Sequence, residues 1–128
     1  MAYDITGGSI SITLEAAADL SSSQYRFVTL DANGKAAVCG TNSKPIGVLQ
    51  NKPTSGEAAT VMVAGITKLE VSEAVDEGDI LGATDTTGKG NGEPAADEYV
   101  AGQAITAGGG DGEIITAAVS CLAPSLAT

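Results

Sequence analysis

Three features of the sequence predict an all-β, small barrel-like single domain. Apolar and polar residues alternate from Ile10 through Ile12 to Leu14, the period-two pattern of a strand with one apolar side. Short aliphatic runs recur down the chain, as at Ile46–Leu49 and Ile114–Leu122. Glycine, proline, asparagine and aspartate cluster between those runs and act as turn formers. A length of 128 residues suits one domain with one core.

The elements are predicted in order as follows. Met1–Ser9 reads as a loose segment, with Gly7-Gly8 as a hinge, and Ile10–Leu14 as the strand behind it. The alanines at 16–18 suit a helical turn. Arg26–Leu30 and Lys35–Cys39 form a hairpin around Asp31-Ala32-Asn33-Gly34, whose Asn-Gly pair tolerates positive φ. Ile46–Leu49 is a short strand. Thr60–Ile66 is apolar nearly throughout, as expected of a strand buried on both faces, and Thr67–Val71 then alternates. Glu73–Gly78 is a bend, and Ile80-Leu81 resumes a strand. Asp85–Ala96, with Gly88, Gly90, Gly92 and Pro94, reads as a flexible loop. Tyr99–Thr106 and Ile114–Leu122 are extended, and Pro124–Thr128 is a tail. The sequence from Gly56 to Val63 echoes that from Gly112 to Val119 at Gly, Glu, Thr and Val. Chance, shared turn chemistry or true duplication accounts for it.

Composition narrows the function. There is no histidine, the commonest general base and a common metal ligand. Tyr3, Tyr25, Phe27 and Tyr99 are the only aromatic residues, so the core must be Val, Ile, Leu and Ala. A large aliphatic side chain contributes roughly 1.5–3 kcal/mol on full burial and alanine less. The core is therefore expected to be thin, with self-association or a partner adding stability. A net charge of -10, from 16 acidic and 6 basic residues, disfavours phosphate backbones and anionic lipid, so neither nucleic acid nor membrane is expected as a partner. No apolar run reaches the ~18 residues of a membrane helix, and the N-terminus lacks a signal-peptide pattern, so synthesis in a cytoplasm is expected. Cys39 and Cys121 read as small buried thiols.

No motif makes a catalytic, cofactor or metal site. Gly88-Lys89-Gly90-Asn91-Gly92 is followed by an acidic, proline-bearing stretch, not by the helix of a phosphate loop. Asp76, Glu77, Asp79 and Asp85 lack the register of a calcium loop and read as a solvated acidic turn. The serines have no histidine and no Ser-x-x-Lys setting. The run Val75-Asp76-Glu77-Gly78-Asp79-Ile80-Leu81 resembles a turn of biotinyl and lipoyl carrier domains. Lys68, the candidate for modification, lacks their flanking residues.

One resemblance spans roughly residues 16–122. It runs through Ala18-Asp19-Leu20, Gln24 to Lys35, Pro45-Ile46-Gly47-Val48-Leu49, Gly56 to Ile66, Glu77 to Leu81, Asp85 to Lys89 and Gly102 to Ile105. This ordered series resembles the capsid decoration, or cement, proteins of tailed bacteriophages. The resemblance implies a β-tulip fold and homotrimers on the outer capsid surface that stabilise the lattice. It also implies the major capsid protein as partner and the virion as location. The expected organisation is an N-terminal arm, 1–15, and a barrel-like domain, 16–128. Tyr3, Ile5, Ile10, Ile12 and Leu14 are the candidate arm residues. A strand behind a glycine hinge pairs readily with an edge of another chain, which the resemblance makes the capsid. The barrel is expected to fold without the arm. The alternatives are a carrier or other accessory barrel, or a tail or fibre component.

Overall fold

A computed structural model describes residues 9–40, 43–83, 86–95, 98–122 and 125–126. Tyr3 and Ile5 lie outside them. Among the described residues there are ten strands and no helix, joined in one antiparallel sheet that curls into a half-barrel. The strands are β1 (Ile10–Glu15), β2 (Phe27–Leu30), β3 (Ala36–Val38), β4 (Pro45–Leu49), β5 (Ala58–Glu70), β6 (Ile80–Gly82), β7 (Asn91–Gly92), β8 (Tyr99–Ala104), β9 (Ile114–Ser120) and β10 (Ser125–Leu126). Their order across the sheet is β3-β2-β4-β5-β9-β8-β6-β7, with β1 on β5 and β10 on β8.

The hairpin forms where its turn residues require. The Asp31 carboxylate accepts the backbone N–H groups of Asn33 at 2.8 Å and Lys35 at 2.9 Å, closing the turn between β2 and β3. Thr60–Ile66 and Thr67–Val71 are not two strands. All but Val71 belong to the single 13-residue β5, which changes neighbours midway: β1 pairs with Ala58–Ala64, and β9 with Ala64–Glu70. The change falls at Gly65, whose φ is +144°. A Cβ there would lie 2.8 Å from Ser9 Oγ and 3.1 Å from Ser9 Cα, so a side chain would displace the chain leading into β1.

β5 is also not buried on both faces. Val61, Val63, Thr67 and Leu69 face inward, while Met62 and Ala64 are half-buried and Ile66 and Lys68 exposed. The strands buried on both faces are β2 and β4. Phe27 and Val48 join the large core with Leu69, Leu81, Ile115 and Val119. Their neighbours Val28 and Leu49 join a second cluster with Ala16, Leu20, Ala36, Ala59 and Val61. Adjacent residues of a strand face opposite ways, so these short strands serve both clusters. The second cluster exists because Ala16–Leu20, a bend and not a helical turn, folds over the sheet. Its Leu20 N–H donates to Pro53 O at 2.9 Å.

Two further expectations are corrected. The described part of Asp85–Ala96 is tied down: Phe27 N–H donates to Gly88 O at 2.7 Å, and Gly90 N–H to Glu70 O at 2.9 Å. Asn91–Gly92 pairs with β6. The Glu70 carboxylate takes both Arg26 Nε at 3.0 Å and Nη2 at 3.3 Å, and Lys89 lies 3.7 Å from it. These partly buried charges clamp the glycine-rich segment to the end of β5. In the expected tail, Ser125–Leu126 pairs with Val100 and Tyr99 as β10.

Candidate functional site

The sequence-level chemical candidates resolve into structural roles. Among the described residues no three His, Cys, Asp or Glu side chains gather as a metal site. Lys89 is held by Asp111 at 2.9 Å, which with its neighbourhood to Glu70 raises its pKa above the ordinary lysine value. Lys68 lies within β5 opposite Thr116, with its ammonium 5.7 Å from the centre of the Tyr25 ring. It does not stand at a hairpin tip, as a carrier lysine does. Cys39 and Cys121 are buried free thiols in the large core. Burial pushes both thiols up to about 12, and Cys39 adds to the effect on Cys121.

The acidic turns share one device. At Thr54–Glu57 the Glu57 N–H donates to Thr54 O at 3.0 Å, and the Glu57 carboxylate accepts the Thr54 N–H at 2.7 Å. Asp76–Asp79 repeats this at 3.1 and 2.9 Å, and Ala95–Glu98 at 3.1 and 2.6 Å. At the fourth turn Glu113 donates to Gly110 O at 3.3 Å, while its carboxylate accepts the Gly109 N–H at 2.6 Å. These turns launch β5, β6, β8 and β9. In three of them glycine takes the positive φ before the acid: Gly56 at +84°, and Gly78 and Gly112 at +87°. The shared turn geometry accounts for the Gly-Glu part of the echo between residues 56–63 and 112–119. It also explains the candidate calcium cluster, because the Asp79 carboxylate already has a backbone partner. Asp85 lies outside the described residues.

What remains is surface. β9 runs roughly 20 Å, at ~3.3 Å per residue, between two unlike ends. At its start lie Glu73, Asp76, Glu77, Asp79, Asp111 and Glu113, with Val75 bridged to Gly108. Exposed Ile80, Ile105 and Ile114 are interleaved with those carboxylates. At its other end Leu122 is 62% exposed. Leu122 lines a groove of about 530 Å³ with Thr29, Leu30, Ser43, Lys44, Pro45, Ile46 and Cys121. Ala64 pairs with both Ile10 and Ser120, and Ile66 with Ala118, so exposed Ile10 and Ile66 share the outer face beside this end. Four exposed large apolar residues thus border the groove end: Ile10, Leu30, Ile66 and Leu122.

The described arm candidates divide. Ile10 is exposed. Ile12 and Leu14 are half-buried and pack against the core clusters, because β1 already has β5 as its partner strand. The groove residues Leu30, Pro45, Ile46 and Leu122 come from separated turns and strand ends. No periodicity in the sequence joins them.

No family model matches the chain, and no curated protein matches it. Among solved structures it is similar to the N base of the head fiber gp8.5 of bacteriophage phi29. The TM-score is 0.67 at 17% identity, covering 94% of this chain and 98% of that one. At this identity the likeness establishes the fold.

Proposed function

We propose that this chain is a non-enzymatic structural protein of a bacteriophage head. In this reading it docks on the outer capsid surface through its groove end, contacts the major capsid protein and acts as a homotrimer that reinforces the lattice. The observation that carries the reading is a fold shared, over nearly the whole of both chains, with the base of a phage head fibre. The ordered turn-and-strand series that resembles capsid decoration proteins supports it. So does the contrast between the two ends of β9. An apolar groove suits a protein contact, whereas six carboxylates suit the solvent side.

The same likeness favours a second reading, in which the chain is the base that anchors a longer projecting fibre. Both readings predict binding to heads. They differ in what projects outward, which imaging of decorated heads resolves.

The test is co-sedimentation of the purified protein with expanded capsids, followed by imaging. Wild type is expected to co-sediment and to appear as trimers at three-fold positions. Leu122→Asp places a charge in the apolar contact and should weaken binding by about tenfold or more. Ile114→Asp, at the acidic end, should bind as wild type. Absence of co-sedimentation, or equal loss from both substitutions, overturns the reading.

A further inference from the structure

We infer that Cys39 and Cys121 are a latent disulfide pair, whose oxidation locks the fork where β4 and β9 part from β5.

Three observations lead to this pair. The first is the fork itself. Val61 and Met62 pair with β1 on one edge of β5 and with β4 on the other. Ala64 pairs with β1 through Ile10 and with β9 through Ser120, so β4 and β9 occupy the same edge in succession. Cys121 enters between them, its N–H donating to Val63 O at 2.8 Å. Cys39 stands at the same level of the sheet. Its N–H donates to Phe27 O at 3.1 Å, Phe27 pairs with Val48, and Val48 with Met62.

The second is convergence. Two strand spacings would put the two backbones roughly 10 Å apart on a flat sheet. This sheet curls, and both side chains lie in the large core with Phe27, Val48 and Val63, on the inner side where the curl shortens separations. The Cys39 S–H donates to Ser43 O at 3.5 Å, and Ser43 and Cys121 line the same groove. The effect of Cys39 on the pKa of Cys121 agrees with that proximity. The third is room to adjust. β3 ends at Val38 and β9 at Ser120, so each cysteine lies just past its strand. The sulfurs can close to bonding distance without changing the register of either ladder.

The step needs a small disulfide as oxidant. One cysteine thiolate attacks a sulfur of the oxidant and expels one thiol. The other cysteine then attacks the mixed disulfide and expels the second. The protein gives up two electrons and two protons, and one small disulfide becomes two thiols. Burial pushes both cysteines up to about 12, so few are ionised and exchange in the folded chain is slow. Once formed, the bond fixes the angle between the β4 and β9 walls of the groove.

The inference does not rest on a capsid role, and its test uses none. The full chain is equilibrated in mixtures of reduced and oxidised glutathione, both folded and in concentrated urea. Brief refolding cycles keep access from limiting exchange in the folded sample. Mass spectrometry after acid quenching counts intramolecular disulfide, glutathione adducts and covalent dimers. The chain has two cysteines, so an intramolecular bond has one assignment. The effective concentration of one thiol at the other, read from these ratios, should be about tenfold or more higher in the folded protein than in urea. The oxidised chain should keep the native circular dichroism and unfold at higher urea. An effective concentration equal to or below that in urea overturns the proposal, because the fold then holds the sulfurs apart. An oxidised chain without native circular dichroism also overturns it, as do covalent dimers as the main product.

Discussion

Gly65 is constrained both by its backbone conformation and by its neighbours. It combines a φ of +144° with a tight contact, in which a Cβ would lie 2.8 Å from Ser9 Oγ and 3.1 Å from both Met62 Sδ and Ser9 Cα. Gly65→Ala should therefore cost roughly 1–3 kcal/mol, the range for a residue forced into a sparsely populated backbone region. Gly110→Ala is the control, since nothing lies within 4 Å of its Cβ position. Urea unfolding of the two variants measures the difference, and equal midpoints would show that Ser9 and β5 adjust freely. In the sequence Gly65 looks like an interruption of the aliphatic run Val61–Ile66. The pattern marks the run as extended but carries no sign that β5 continues through the glycine. Continuity depends on β9 taking over where β1 leaves, a contact between residues more than fifty positions apart. The inward direction of Ile12 and Leu14 was hidden for the same reason. Alternation shows that a strand has an apolar side, and only the paired strand decides whether that side faces the chain's own core.

At the scale of elements, the acid-closed turns set how strand starts respond to pH. The Thr54 N–H holds the Glu57 carboxyl below its ordinary 4.5, and hydrogen bonds from Ser21 hold Asp19 below 3.8. A carboxyl whose folded pKa is depressed adds stability that is complete above its unfolded value. That stability is lost as the pH falls through the folded one. The urea midpoint should accordingly be flat near neutrality and drop below about pH 4.5, and Glu57→Gln should remove part of that drop. A pH profile of Glu57→Gln that matches wild type would mean that titration of Glu57 contributes nothing to the drop. The turns themselves were legible in sequence, because Gly followed by Glu or Asp before an aliphatic run recurs at residues 56, 78 and 112. Their reciprocal bonding was not, since it needs the carboxylate to reach back to a backbone N–H three or four residues earlier. The glycine-rich stretch after Asp85 looked mobile because its anchors, Glu70 and Phe27, are distant in sequence.

For the whole molecule, β5 has a consequence beyond positioning the groove. Its first half is the floor under β1 and β4, and its second half carries β9 and through it β8, β6 and β7. Neither half can lose its strands without freeing backbone that the other half needs, so the two cannot melt as separate units. Scanning calorimetry should show one endotherm with calorimetric and van't Hoff enthalpies equal, the signature of all-or-none unfolding. Two resolved peaks would mean that the chain on either side of Gly65 holds its order alone. On the proposed reading, a particle coated with this protein would lose each copy as an indivisible unit, with no half-unfolded form left attached.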